Sequence, residues 1–139
     1  MKLGNPLKIL SIFLGLLGTI NSFVVATYLI STNIALSSFL KPDLQFQGYL
    51  GSSIAIACTV LMVFGTYYML RQQMLKGGVI NLTAGAILYS AYIYFAFITN
   101  PRILNWLEPT GHFLFIPPLL SGLISTMLQK QGPETQIAT

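Results

Sequence analysis

The sequence predicts an all-α fold in which four transmembrane helices pack as a bundle. Three observations carry this expectation. Four long apolar segments recur along the chain, at about residues 7–30, 49–70, 78–98 and 113–128. Charged residues make up 7% of the 139 residues and hydrophobic ones 54%. A soluble domain normally carries about 25% charged residues, too many for this chain to match. Finally, apart from Lys8 the four segments contain no Asp, Glu, Lys or Arg. A bilayer core about 30 Å thick needs about 20 apolar residues in a helix, so each segment is long enough or nearly so. The reading is a single domain over residues 1–128, with a polar tail at 129–139.

The first segment follows Lys2 and Lys8, as a signal peptide would. Its apolar stretch exceeds the roughly 7–15 residues of a cleaved leader and no A-x-A site follows it, so it reads as an uncleaved helix. Lys8 can snorkel at its end. Orientation follows from the basic residues on each side. Lys2, Lys8, Arg71, Lys76 and Lys130 fall on one side, and only Lys41 and Arg102 on the other. Both termini are therefore expected in the cytoplasm, in a multi-pass membrane protein. The net charge of +4 reflects this orientation. No basic cluster interleaved with aromatics points to nucleic acid. Asn81-Leu82-Thr83 matches a glycosylation sequon, but it sits at the cytoplasmic end of the third segment, away from glycosylation machinery.

The two outer connections share a pattern. Thr32-Asn33 is followed by Phe39-Leu40-Lys41-Pro42, and Thr99-Asn100 at the same spacing by Trp106-Leu107-Glu108-Pro109. The offset also pairs Gly18 with Gly85. This suggests a duplicated hairpin, residues 7–70 and 74–128, as a parallel repeat about the membrane normal. Each outer connection is expected to form a short interfacial helix. Ile34, Leu36, Phe39 and Leu40 would supply the apolar side of one, and Ile103, Leu104, Trp106 and Leu107 that of the other, each ended by its proline. Phe39, Trp106 and His112 would sit at headgroup level, with His112 pairing Glu108 one turn earlier.

Lys76-Gly77-Gly78 opening the third helix, Gly15 and Gly18 in the first, and a proline in the fourth are similar to features of small four-helix prokaryotic integral membrane proteins of unknown function. The resemblance covers the layout. It implies a four-helix membrane bundle and carries no activity or site.

Candidate chemistry is sparse. No ionisable residue lies within the membrane to bind a proton or cation. Cys58 and His112, each the only one of its type, form no metal constellation, and no nucleophile–base set is recognisable. No catalytic residue, metal or cofactor is implied, and the chain reads as a non-enzyme. Small residues do show helical spacing, with Ser11, Gly15, Gly18 and Ser22 on the first helix and Gly51, Ala55, Cys58 and Gly65 on the second. Such stripes let backbones approach in lipid, within the bundle or against another subunit or a second copy. Asn21 lies about 20 Å from the cytoplasmic end of its helix at ~1.5 Å per residue. Tyr89, Tyr92, Cys58 and Thr59 lie near that height and with it form a candidate polar layer, held by interhelical hydrogen bonds or open to a ligand. Asn21 is expected to point inward and to bond a tyrosine hydroxyl of the third helix or a group on the second. Pro117-Pro118 removes two backbone donors, leaving the fourth segment either kinked or broken into a half-helix. The expected function is packing, as an accessory subunit of a larger membrane complex. The alternative is a small uncoupled transporter, channel or lipid- or quinone-binding module.

Overall fold

The computed structural model describes residues 4–36, 42–99 and 110–130. These residues form helices and turns, with no strand among them. Helix α1 spans Gly4–Leu36, α2 Pro42–Leu70 and α3 Met74–Thr99. The fourth segment is divided into a single turn, α4 (Thr110–Phe113), and a longer helix, α5 (Ile116–Lys130). The helices α1, α2, α3 and α5 run up and down and close a four-membered ring. Each packs on its two neighbours, and α1 and α3 touch little across the diagonal. By length and composition, two stretches could cross a membrane, Pro6–Ser31 in α1 and Gln45–Leu70 in α2. The apolar stretch of α5, Ile116–Leu128, is shorter.

The connection between α2 and α3 explains its own geometry. Gln73 N–H donates to Tyr68 O at 2.9 Å and Gln72 N–H to Met69 O at 3.0 Å. Gln72 has a φ of 63°. This is the Schellman pattern, whose crossed bonds satisfy the last carbonyls of a helix. A glutamine here occupies the left-handed position that glycine usually takes, which costs about 1–2 kcal/mol. The next helix starts at once, since Gly77 N–H already donates to Gln73 O at 3.0 Å.

Two expectations about boundaries are corrected. Helix α1 continues to Leu36, about 50 Å in all at 1.5 Å per residue, so Ile34 and Leu36 extend it rather than open a separate interfacial helix. Pro42 is the first residue of α2. That position suits proline, because its missing N–H would have no helical acceptor there. Phe39, Leu40, Ile103, Leu104, Trp106, Leu107 and Glu108 lie outside the described residues. So do most residues of the two shared-pattern connections.

The distribution of polarity is inverted relative to a water-soluble bundle. Ser11, Ser22, Ser52, Thr66, Asn81, Ser121 and Ser125 are buried. Phe13, Ile20, Phe23, Tyr28, Phe64 and Met127 are exposed. Apolar residues also cover much of the remaining outer surface of all four long helices. A core of Val25, Ala26, Ala55, Cys58, Met62, Ala84, Leu88 and Phe115 fills the middle and the far end.

Candidate functional site

Two polar layers hold the helices together, one near the α2–α3 turn and one near the α4–α5 break. In the turn-side layer every long helix contributes a group. Ser11 Oγ donates to Ser121 O at 2.9 Å, and Ser121 Oγ returns a bond to Ser11 O at 2.7 Å. This reciprocal pair ties α1 to α5. Each hydroxyl has one proton, and both are spent on carbonyls. Met69 Sδ therefore packs on the two oxygens at 3.7 and 3.8 Å as a soft neighbour.

Asn81, fully buried, stands beside them. Its Nδ2 lies 3.4 Å from Thr66 Oγ1, which lies 3.3 Å from Thr19 Oγ1. Thr19 Oγ1 donates to Gly15 O at 2.9 Å. That last bond fixes the direction of the others. Thr19 has no second proton, so Thr66 donates to it and accepts from Asn81. The result is a one-way chain from α3 through α2 to α1. Its bonds polarise one another in the same sense.

Asn81 Oδ1 is buried without a hydrogen-bond partner. It sits against Gly65, where an added Cβ would come within 2.1 Å of it. An added Cβ on Gly77 would meet Gly65 O and Met69 Cγ at 2.4 Å. Gly65 and Gly77 thus bring the α2 and α3 backbones together. Gly78 and Gly122 do the same for α3 and α5, since an added Cβ on Gly122 would lie 2.7 Å from Gly78 O.

The break-side layer follows from Pro117-Pro118. In a continuous helix the Leu114 carbonyl would accept from the N–H of residue 118, and proline has none. Asn21 Nδ2 takes that place, donating to Leu114 O at 3.1 Å. The chain turns at Leu114 and Phe115, with Phe115 N–H on His112 O at 3.2 Å. Gly18, one turn before Asn21, admits the Pro118 ring. An added Cβ there would come within 2.8–3.0 Å of it. Tyr89 OH lies 3.0 Å from His112 Nδ1. Phe115 packs on Tyr89 and Tyr92 at centroid distances of 5.2 and 5.0 Å.

These contacts place the residues singled out from the sequence. Ser11, Gly15, Gly18, Ser22, Gly51, Ala55 and Gly65 are all buried, so the small-residue stripes face the bundle interior. Asn21 is partly buried and turned inward, but its partner is the backbone of the break rather than a tyrosine or a group on α2. Of the candidate layer, Tyr89 and Tyr92 pack on the core cluster that holds Cys58, and Asn21 bonds the carbonyl of Leu114, which packs on the same cluster. Thr59 donates to its own Ala55 O at 2.8 Å, as a hydroxyl in an apolar helix commonly does. Cys58 is buried in the apolar core, and Tyr89 turns to His112. The kink-or-break alternative at Pro117 resolves as a break. Asn81, read from the sequence only as a sequon, is the polar residue missed. A helical-wheel comparison could have found it, since Asn81 lies four and seven residues from Gly77 and Leu88, both buried.

Comparison with protein families, with characterised proteins and with solved structures finds no match. Grooves lie between helices on the described surface. One, of about 470 Å³, is open and apolar and runs between α2 and α3 along Leu50, Ile54, Ala86, Ser90 and Tyr94. Another, of about 150 Å³, lies between Leu7 of α1 and Ile124, Met127 and Leu128 of α5. Neither is lined by Asn81 or Asn21. No group of His, Cys, Asp and Glu suited to a metal occurs among the described residues.

Proposed function

We propose that this chain is a non-enzymatic integral membrane protein whose four helical segments all cross the bilayer. It works by packing, as an accessory subunit of a larger membrane complex. The observation that carries this reading is the inverted polarity. Seven serine, threonine and asparagine side chains are buried between the helices, and phenylalanine, isoleucine, leucine and tyrosine side chains cover much of the outside. Water-soluble monomers rarely expose contiguous apolar patches beyond a few hundred Å². In hydrocarbon such a surface costs nothing, while each interior hydroxyl or amide needs a partner, and nearly all have one. Both termini and the Arg71–Gln73 turn are placed in the cytoplasm on the distribution of basic residues.

The packing role draws on the close helix contacts. The glycine contacts leave the helix backbones touching, and the break between α4 and α5 is stopped by Phe115, Tyr89 and Tyr92. A transporter or channel would need a cavity reaching one of the polar layers. Two measurements test the reading. Alkaline carbonate should leave the chain in the membrane pellet, and native mass spectrometry from intact membrane should find it bound to another chain or to copies of itself. A lone monomer released from native membrane would sink the accessory role, and carbonate extraction would sink the membrane-spanning fold.

A further inference from the structure

We propose that the turn end of the bundle is a contact site for anionic phospholipid headgroups, centred on Arg71. The inference rests on the membrane-spanning reading above and adds a partner to it. Three described cations gather at this end. Lys8 lies near the start of α1, Arg71 in the α2–α3 turn and Lys76 in the first turn of α3, and all three are exposed. Among the described residues the sole acidic side chain is Asp43, in the first turn of α2 at the opposite end. The turn end therefore has positive charge and no described counter-charge of its own. A phosphodiester is its complement.

The apolar surface next to these cations sets their level. Ile9, Tyr67, Leu70 and Leu75 are exposed immediately beside Lys8, Arg71 and Lys76. The cations thus mark the border where the apolar exterior stops, which is the height of the headgroups. Arg71 is also held in place. Its Cζ lies 5.3 Å from the centroid of the Tyr67 ring, and that ring meets Tyr68 edge-on at 6.1 Å. The Schellman turn fixes the backbone beneath. A guanidinium ordered in this way can present its fork of donors to a phosphate, which a mobile lysine cannot do.

Each cation near an anionic surface contributes about a five-fold preference, from roughly 1 kcal/mol per Lys or Arg. The test reconstitutes the full chain in vesicles of phosphatidylcholine mixed with an equal part of phosphatidylglycerol, and native mass spectrometry counts the lipids it retains. Wild type should retain phosphatidylglycerol in clear excess. Arg71→Gln should lower the excess about five-fold, Arg71→Lys by less, and Lys8→Gln with Arg71→Gln and Lys76→Gln should abolish it. About 0.5 M salt should erode it as well. All three positions are exposed, so the variants should unfold at the wild-type temperature. An inserted wild-type chain that retains both lipids equally, or a triple variant with undiminished preference, overturns the inference and leaves the fold reading standing. A chain that carbonate strips from the vesicles overturns both.

Discussion

The turn-side and break-side layers hold the bundle together by different means. On the turn side, glycines bring backbones into contact and short side chains bond across the gap. Gly65 and Gly77 join α2 to α3, and the Ser11–Ser121 pair joins α1 to α5. On the break side the organising event is a loss. Pro118 leaves Leu114 O without its helical donor, and Asn21 of α1 supplies one. Glycine lets a neighbour approach, whereas proline frees an acceptor that a neighbour must then satisfy. A bundle with few large polar groups can use both devices to fix which helix lies against which. The two layers should respond differently to substitution.

The largest effect is expected at Gly77. A methyl group there would meet backbone atoms, Gly65 O at 2.4 Å and Met69 N at 2.8 Å. Backbone cannot rotate away, so α2 and α3 must separate. Gly77→Ala should cost about 3 kcal/mol, the upper part of the range for overpacking, read as a lowered midpoint in detergent unfolding. An unchanged midpoint would show that the α2–α3 crossing is looser than described.

Next comes Asn81→Ala. It removes the start of the threonine chain and leaves a void among Gly15, Gly65, Met69 and Ser121. Interhelical hydrogen bonds in membranes average about 0.6 kcal/mol. With the lost packing, about 2 kcal/mol is expected. Thr66→Val should then cost less in the Asn81→Ala background than in wild type, because the bond it would break is already gone. Full additivity of the two would contradict the directed chain.

The break-side layer should show a coupling of opposite origin. Asn21→Leu leaves Leu114 O without its donor and should cost about 1 kcal/mol, within the span measured for such bonds. Pro118→Ala restores a backbone N–H that can bond Leu114 O. In that background the Asn21→Leu cost should shrink toward zero. The double-mutant cycle isolates this term even though Pro118→Ala also loses packing on Gly18. An equal cost in both backgrounds would mean that Asn21 is not standing in for the missing N–H.

Some of this was legible in the sequence and some was not, for physical reasons. Apolar length gave the helical segments, and the small-residue stripes gave the inward faces of the first two, because burial of small residues follows helical periodicity. The dividing point at Pro117-Pro118 was visible because proline removes donors wherever it stands. The partner of Asn21 was sought among side chains at its height, yet the acceptor is a carbonyl. It could have been inferred, since Pro118 identifies Leu114 O as the group left over four residues earlier. Asn81 was missed for another reason. Its own helix marks its face, through Gly77 and Leu88 at helical spacing, but its partners depend on where the other helices cross. The outer ends of α1 and α2 were misjudged because Pro42 stops one helix and starts another equally well.

The smallest effect is expected at Gly85 on α3, which the 67-residue offset pairs with Gly18 on α1. Both flank Pro118, so a substitution at each reads how the ring divides its contacts between α1 and α3. The distances are not symmetric. An added Cβ at Gly18 would lie 2.8 Å from Pro118 Cβ and 3.0 Å from its Cα. At Gly85 the nearest atoms, Leu119 Cδ2 and Pro118 Cβ, would be 3.4 Å away, ordinary contact distance. Alanine is favoured over glycine inside a helix by up to about 1 kcal/mol. At Gly85 nothing opposes that gain, so Gly85→Ala should be neutral or stabilising by a few tenths of a kcal/mol up to about 1. At Gly18 the overlap with a rigid ring outweighs it, and Gly18→Ala should cost about 1–2 kcal/mol. Unfolding midpoints of the two variants in the same detergent decide between the views. Equal losses at both would mean that Pro118 presses equally on α1 and α3. A loss at Gly18 alone means that Pro118 leans on α1, on the side where Asn21 holds the broken end.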